Sequence, residues 1–328
     1  MPLETVAVIG AGAWGTALAQ AAVGAGRDTT LYARRSAVVE EINTLHTNEA
    51  HLPGRRLDSA LKAAETFAPA DIVILAVPAQ MTRTALEAIA PDALAGVPVI
   101  LTAKGLEKGT LLRQSSVLLD MAPDAIPYVL SGPSFAEDVA AGRPTAVTLA
   151  GDGASETSAL AAALASTALR PYAADDRIGV EIAGALKNVY ALACGAVEGA
   201  GLGASARAGL IARGYAELAR IVAALGGSAT TLTGLAGLGD LTLSCTSIQS
   251  RNYRFGVRLG QGESSEAILA SGASLAEGVA TAPVAAALAD EAAVDAPLIG
   301  AVNDLLTAKA DISTIVTGLM TRPLKRED

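Results

Sequence analysis

Short apolar runs alternate with longer alanine- and leucine-rich segments over the first half of the chain. The apolar runs, which predict strands, lie at residues 6–9, 29–32, 72–77, 97–102, 128–130, 146–149 and 168–172. The segments that predict helices lie at residues 16–25, 80–90, 111–121 and 157–166. This alternation predicts a parallel sheet with helices on both faces.

From about residue 178 the strand pattern fades and helical segments take over. The predicted helices lie at residues 178–197, 207–225, 265–270, 281–291 and 299–307. The chain of 328 residues is long enough for two domains. We therefore predict an α/β domain at residues 1–177, an all-helical domain at residues 178–328, and a ligand site in the cleft between them.

The first predicted strand leads directly into a Gly-x-Gly-x-x-Gly turn at the start of a helix. The three glycines allow, in order, a tight turn, close approach of a pyrophosphate to the backbone, and close packing of the helix on the sheet. The pyrophosphate then meets the free N–H groups at the helix N-terminus. A Rossmann-type domain that binds a dinucleotide is predicted, and a turn that binds nothing is the alternative. The residues of this predicted cofactor site are Gly10, Gly12, Ala13, Trp14 and Gly15.

The end of the second predicted strand bears on the choice of cofactor. An acidic residue there suits the ribose hydroxyls of NAD, whereas arginine accommodates the 2′-phosphate of NADP. The chain has Arg34 and Arg35 at this point and no acid until Glu40. NADP(H) is therefore favoured and NAD(H) stays open. The alternative interpretation is a pair of solvated surface arginines.

Composition excludes several other classes of protein. Apolar residues make up 51% of the chain and charged residues 17%, which is typical of a globular protein. The net charge is −9 and basic residues form no block, which argues against nucleic-acid or acidic-membrane partners. No run reaches the ~18 strongly apolar residues of a membrane span. The N-terminus leaves no room for a signal peptide, so a soluble cytoplasmic protein is expected.

Cysteines and histidines contribute little candidate chemistry. Cys194 and Cys245 lack metal-ligand spacing and are predicted to be small core residues, so no metal is expected. His46 and His51 lie in a polar loop and are interpreted as surface residues.

Two lysines are better candidates for chemistry on a carbonyl group. Lys187 lies in a largely apolar predicted helix, where burial of an ammonium without partners is costly. Lys104 follows a strand and lies at the carboxyl edge of the predicted sheet, where ligands of such sheets bind. The alternatives are that Lys187 reaches solvent and that Lys104 is a surface lysine.

Polar groups follow further along the chain. Asp240 ends a glycine-rich turn and either orients a lysine or substrate, or caps a helix. Arg251 and Asn252 offer donors suited to a phosphate, or simply form the charged start of a helix. Asn188, beside Lys187, is a candidate for binding another part of the ligand.

Taken together, these segments resemble one family. The quoted motifs occur in family order from about residue 5 to residue 320, and the set is specific although its members are not. They are Gly-Ala-Gly-Ala-Trp-Gly-Thr-Ala-Leu-Ala (10–19), Leu-Pro-Gly (52–54), Thr-Ala-Lys-Gly (102–105), Ser-Gly-Pro-Ser-Phe-Ala (131–136), Ala-Leu-Lys-Asn (185–188), Gly-Leu-Gly-Asp-Leu (237–241) and Ser-Arg-Asn (250–252). The chain resembles the bacterial NAD(P)-dependent sn-glycerol-3-phosphate dehydrogenases.

The resemblance implies an activity and a role for each matching residue. It implies reversible reduction of dihydroxyacetone phosphate to sn-glycerol 3-phosphate, a phospholipid precursor, with Lys187 as proton donor and acceptor. Lys104 would contact both substrate and cofactor. The remaining implied substrate residues are Gly132, Ser134, Asn188, Asp240, Ser250, Arg251 and Asn252. The further implied cofactor residues are Ala136, Arg251, Leu275 and Glu277, and Leu275 departs from the valine usual in the family.

Two other interpretations stay open. Related reductases, such as β-hydroxyacid dehydrogenases and ketopantoate reductases, carry Asn four residues after the lysine, where this chain has Ala191. A nucleotide sensor or scaffold on the same fold is the other. A sensor would not need the combination of Lys104, Lys187 and Asp240. A homodimer is expected only from how such folds commonly assemble.

Overall fold

A computed structural model describes residues 3–272, 276–323 and 326 of the chain. Within these residues the chain forms one eight-stranded sheet and fourteen α-helices. The strands are β1 (Thr5–Ile9), β2 (Asp28–Tyr32), β3 (Lys62–Ala64), β4 (Ile72–Leu75), β5 (Pro98–Leu101), β6 (Ile126–Ser131), β7 (Thr145–Ala150) and β8 (Leu169–Ala174). The helices are α1 (Ala13–Gly24), α2 (Ser36–Leu45), α3 (Thr82–Glu87), α4 (Gln114–Met121), α5 (Ala136–Ala140), α6 (Ala154–Leu164), α7 (Arg177–Gly199), α8 (Gly203–Ala224), α9 (Asp240–Thr246), α10 (Arg251–Gly260), α11 (Ser265–Ala270), α12 (Glu277–Glu291), α13 (Pro297–Leu306) and α14 (Ile312–Met320).

The sheet has the strand order β3-β2-β1-β4-β5-β6-β7-β8. The predicted class, a Rossmann-type sheet domain followed by helices, is confirmed. The prediction of a wholly parallel sheet is wrong at one place, because β7 runs antiparallel to β6. The helix in their connection, α5, is only ~7.5 Å long. A six-residue strand is ~20 Å long, so α5 does not carry the chain back across the sheet.

The continuous apolar runs of β1 and β4 are explained by burial on both faces of the sheet. Val6 and Val8 pack into one core with Ile72 and Ile74, while Val73 faces a second core on the other side. Strands buried on both faces need apolar residues at every position rather than at alternate ones.

Several predicted boundaries shift by a few residues. The strand predicted at 72–77 ends at Leu75, and the helix predicted at 80–90 is a 3₁₀ turn at Ala79–Met81 followed by α3. The helix predicted at 111–121 begins only at Gln114, because Leu111 adopts a left-handed conformation with φ 59°. Such a conformation cannot continue an α-helix.

The helical half is built around α7. Its buried face includes Ile182, Leu186 and Tyr190, and these residues pack in a third core with α8 and α10. Both cysteines are buried in this core, as predicted. Among the described helices, α7 is long and apolar enough to cross a membrane, but 94% of its apolar window is buried inside the protein. That burial is what a central core helix requires.

Helix α10 lies unusually close to α7 because glycines meet at the contact. A Cβ atom on Gly256 or Gly260 would overlap a carbonyl oxygen of α7, and one on Gly195 or Gly199 would overlap a carbonyl oxygen of α10. Small residues spaced by four on both helices therefore bring the two backbones together. This packing fixes the start of α10 beside the middle of α7.

Candidate active site

The turn between β1 and α1 has the shape of an anion-binding cradle. Gly10 has φ +110°, and a Cβ there would lie 2.6 Å from the carbonyl oxygen of Ala76. A Cβ on Gly15 would overlap the Gly10 carbonyl oxygen, so α1 sits directly on the turn. A Cβ on Gly12 would meet no atom within 4 Å, which leaves open space at the N-terminus of α1. The first turn of α1 has neither an acidic residue nor a side-chain cap, so its N–H groups suit a pyrophosphate.

A loop not assigned any role from the sequence lies against this cradle. Asn48 is fully buried, and its Nδ2 donates to the Ala11 carbonyl at 3.0 Å and to Thr16 Oγ1 at 2.8 Å. Its Oδ1 has no partner among the described residues. The signal in the sequence was weak, because a single asparagine in a polar loop usually serves a turn.

Arg34 and Arg35 are exposed at the carboxyl end of β2, on the same edge of the sheet as the cradle. Arg35 Nη2 lies 3.3 Å from His51 Nε2. His51 is exposed, as predicted, whereas His46 is half-buried and ends α2 in a left-handed conformation. We call the two exposed arginines the cationic corner, and His51 lies beside it in contact with Arg35.

At the centre of the carboxyl edge, two lysines share one carboxylate. Lys187 on α7 donates to Asp240 Oδ1 at 2.6 Å, and Lys104, three residues after β5, donates to Asp240 Oδ2 at 2.6 Å. Lys187 also donates to Ser244 Oγ at 2.6 Å. The side chains of Lys187 and Asp240 are only 9% and 1% exposed. Asp240 therefore does not cap α9, although it is the first residue of that helix.

Lys104, Asp240 and Lys187 form a triad in which burial and the neighbouring charges shift the pKa values of Lys187 and Asp240. Burial lowers the pKa of Lys187 to about 8; the Lys104 ammonium acts in the same direction, and the Asp240 carboxylate opposes both. Burial alone would raise the pKa of Asp240, but the two ammonium groups outweigh it and hold that pKa below its usual value. Near neutral pH the triad thus carries two positive charges and one negative charge, with one ammonium poised to release its proton.

The antiparallel return of β7 keeps the 132–144 segment at the same edge. Lys104 Nζ donates to the Gly132 carbonyl at 3.1 Å, and Ser134 Oγ donates to the same oxygen at 3.1 Å. Gly132 has φ +147° and packs on β7, where a Cβ would lie 2.9 Å from the Val147 Cα. Ala136 begins α5, directly after this turn.

A chain of amide hydrogen bonds crosses the site. Asn188 Nδ2 donates to the Lys104 carbonyl at 2.9 Å, and Asn252 Nδ2 donates to Asn188 Oδ1 at 2.9 Å. The Gly278 N–H in turn donates to Asn252 Oδ1 at 2.9 Å. These bonds connect the β5 loop, α7, α10 and α12, and the close packing of α7 and α10 makes them possible.

The remaining predicted site residues lie around this series of amide hydrogen bonds. Ser250 is the N-cap of α10, with its hydroxyl accepting from the Tyr253 N–H, and Arg251 beside it is exposed. Glu277 begins α12 and accepts from the Ala79 N–H at 3.2 Å, next to the end of β4. Leu275 lies outside the described residues.

The cradle and the triad lie on one edge of the sheet. Lys104 follows β5, β5 pairs with β4, and β4 pairs with β1. Two strand spacings, roughly 10 Å, therefore separate the two features along the edge. A dinucleotide held at the cradle is long enough to extend towards the lysines. Over the described part of the chain, no group of three His, Cys, Asp or Glu side chains is arranged to hold a metal ion.

Models of one enzyme family match almost the whole chain. The model described as NAD-dependent glycerol-3-phosphate dehydrogenase N-terminus matches residues 5–157, and the corresponding C-terminus model matches residues 176–317. The fold and site define a dinucleotide-dependent oxidoreductase with a helical second half. The chain belongs to the NAD-dependent glycerol-3-phosphate dehydrogenase family.

Individual relatives support the same assignment. The chain is 48% identical to a glycerol-3-phosphate dehydrogenase (NAD(P)+) of Caulobacter vibrioides, with 100% of both chains covered. It is 47% identical to the enzyme of the same name from Maricaulis maris, over 99% of this chain and 98% of that one. The crystal structure of glycerol-3-phosphate dehydrogenase from Coxiella burnetii superimposes with a TM-score of 0.91 at 36% identity, covering 98% and 100% of the two chains.

Proposed function

We propose that the protein reversibly reduces dihydroxyacetone phosphate to sn-glycerol 3-phosphate, with NADP(H) favoured and NAD(H) also accepted. The observation that carries this proposal is the buried Lys104–Asp240–Lys187 triad on the same sheet edge as the dinucleotide cradle. Membership of the glycerol-3-phosphate dehydrogenase family selects the substrate among the carbonyl compounds that such a triad could serve.

In this proposal the cofactor would be held by its pyrophosphate at Gly10, Gly12 and Gly15, and when bound it would supply a hydride for the ketone carbon. Lys187 holds the carbonyl oxygen, stabilises the negative charge that develops on it, and gives it a proton. Asp240 orients the Lys187 ammonium, and Lys104 adds a second positive charge beside the same oxygen. In the oxidation direction the neutral Lys187 amine takes the proton back. A pKa of about 8 allows both directions near neutral pH.

The remaining predicted residues would hold the rest of the substrate. Arg251 and Asn252 would bind its phosphate, and Ser250 would fix the start of α10 from which both project. Gly132, Ser134 and Asn188 would line the part of the site next to the reacting carbon. Binding energy from the phosphate then positions the carbonyl at Lys187.

Loss of nicotinamide absorbance tests the reaction directly. We expect rapid oxidation of NADPH when dihydroxyacetone phosphate is added to the protein, and none without it. A folded protein that binds NADPH but oxidises none with this substrate would contradict the proposal. In that case the related reductases would be the next candidates, although Ala191 is buried and supplies no amide at the position where they carry asparagine.

The proposed preference for NADP(H) over NAD(H) can be tested at the cationic corner, Arg34 and Arg35. Replacing both Arg34 and Arg35 with alanine should raise the KM for NADPH ~10-fold or more, because hydrogen bonds to a charged phosphate contribute about 1.5–3 kcal/mol. The KM for NADH, which has no 2′-phosphate, should change far less. The variant Arg322→Ala removes an exposed, ion-paired guanidinium elsewhere and serves as the control. Equal changes for the two cofactors would remove the arginines from 2′-phosphate recognition.

Several wider expectations belong to this proposal. The product would supply the backbone of glycerophospholipids. The enzyme would act in the cytoplasm as a homodimer, without a metal, and without nucleic-acid or membrane partners. The division into domains at residues 177 and 178 also stays a prediction.

A further inference from the structure

One face of α7 is turned towards the segment that carries Lys104. Glu181, Gly184 and Asn188 lie at positions i, i+3 and i+7, which place them on the same side of a helix. All three contact residues between 104 and 131 of the sheet half. Lys187 lies on the same helix, one residue before Asn188. The position of this face therefore sets where Lys187 stands relative to the β5 loop.

Glu181 provides the strongest of these contacts. Its Oε1 accepts from the Ser115 N–H at 2.8 Å, and its Oε2 accepts from Ser115 Oγ at 2.7 Å. Arg113 Nη1 lies 3.4 Å from Oε2, and the Glu181 side chain is only 2% exposed. Ser115 is the second residue of α4, so the carboxylate sits at the positive end of that helix. A buried charge with this many partners holds α4 firmly against α7.

The 104–115 segment also contacts α7 at its other end, at Lys104. Asn188 Nδ2 donates to the Lys104 carbonyl at 2.9 Å. Between the two ties, a Cβ on Gly184 would lie 2.8 Å from Ser131 Oγ and 3.7 Å from Lys104 Cγ, so the helix backbone comes close to both side chains. The segment from Lys104 to Ser115 is thus fastened to α7 at both ends.

We propose that Glu181 is a positioning residue that sets the separation of Lys104 and Lys187 across Asp240. The residue itself touches none of the three triad side chains. It acts by holding the far end of the 104–115 segment, so that Lys104 meets Asp240 from the side opposite Lys187. The inference rests on the proposed reaction, in which both lysines face one substrate oxygen.

Loss of the hydrogen bonds between Glu181 and Ser115 would change the titration of Lys187 in the triad. When the 104–115 segment shifts away from α7, the Lys104 ammonium moves away from Asp240. Asp240 then pairs with Lys187 alone, and the repulsion between the two ammonium groups weakens. Both changes favour the protonated form of Lys187. A residue that only stabilised the fold would change the amount of folded enzyme but would not move this titration.

Three variants test the proposal. In Glu181→Ala we expect kcat to fall ~10-fold or more, since an ångström of misplacement is enough for such a loss. The alkaline fall of kcat for reduction should move to higher pH. Glu181→Gln should restore most of kcat, because its amide oxygen accepts from the Ser115 N–H and its NH₂ donates to the Ser115 hydroxyl. Ser115→Ala, which keeps the backbone bond, should show a smaller change in the same direction.

The matched control is on the same helix. Glu198 of α7 has a side chain 48% exposed and pairs with Arg207, so Glu198→Ala should leave kcat and the pH profile as in the wild type. Variant rates are expressed per folded, NADPH-binding site and relative to the wild type, whose own turnover tests the reaction separately. Wild-type kcat and an unmoved alkaline limb in Glu181→Ala would overturn the proposal. If that variant does not fold, wild-type kcat and an unmoved alkaline limb in Ser115→Ala would do so.

Discussion

Replacement of Lys187 with alanine is expected to lower kcat ~10²-fold or more in both directions, within the usual range for a general acid–base group. In the proposed reaction the Lys187 ammonium stabilises the developing oxyanion and supplies its proton, and the variant lacks it. Lys187→Arg should not restore turnover, because guanidinium does not readily release a proton. The KM for NADPH should change little, since the cradle at β1 and α1 is untouched. Steady-state kinetics with both substrates gives all these quantities.

The pH dependence of the wild type follows from the same residue. Burial lowers the pKa of Lys187 to about 8, so roughly nine-tenths of the enzyme carries the ammonium at pH 7. In the proposed reaction, reduction uses the protonated form of Lys187 and should slow as the pH rises through about 8. Oxidation uses the neutral amine and should quicken over the same interval.

A surface lysine gives the control for this prediction. Lys62 is exposed and pairs with Asp28, so Lys62→Ala should leave kcat and its pH dependence unchanged. A Lys187→Ala enzyme that kept most of the wild-type turnover would show that another group transfers the proton.

The second large effect is expected at Asp240. Asp240→Asn leaves two neighbouring ammonium groups, one of them deeply buried, with no counter-charge. Breaking a buried ion pair in this way costs about 3–5 kcal/mol, so the free energy of unfolding in urea should fall by a comparable amount. The pKa of Lys187 should fall below about 8, because burial and Lys104 still act and the carboxylate no longer opposes them. Less of the enzyme then carries the proton needed for reduction, and kcat at pH 7 should fall.

A second substitution distinguishes the effect of unpaired charge on stability from the effect of altered packing. Adding Lys104→Met to Asp240→Asn removes one of the two unpaired ammonium groups and should recover part of the lost stability. Asp28→Asn breaks an exposed pair and should change the free energy of unfolding by less than about 1 kcal/mol. Stability unchanged in Asp240→Asn would mean that the triad is more hydrated than its burial indicates.

Periodicity and local motifs were sufficient to predict much of the fold. The strand, glycine turn and helix at the N-terminus follow from short-range rules, and α7 follows from its long apolar pattern. Helix α10 was not among the predicted helices, although the charged start of a helix was one interpretation of Arg251 and Asn252. Gly256 and Gly260 are spaced for close packing against another helix. Strand β3 was missed because it has three residues, and the reversal of β7 depends on a connection whose path no local pattern encodes.

For the candidate site, too, only part could be predicted from the sequence. The apolar helix around Lys187 indicated a lysine that is either held by partners or reaches solvent, and the glycine-rich turn singled out Asp240. Ser244 could have been found from its spacing of four after Asp240 on a helix. The contacts of Asn48 and Glu181 could not, because their partners lie 37 and 66 residues away along the chain. Long-range hydrogen bonds of this kind depend on how finished elements pack together.

Helix α7 also affects how the protein unfolds. Val180 packs in a core of the sheet half, while Ile182, two residues later, belongs to the core of the helical half. The helix that begins at the predicted boundary therefore packs against both halves. Melting of either half would uncover one side of α7 and expose apolar surface to water. We expect the whole chain to unfold as one cooperative unit.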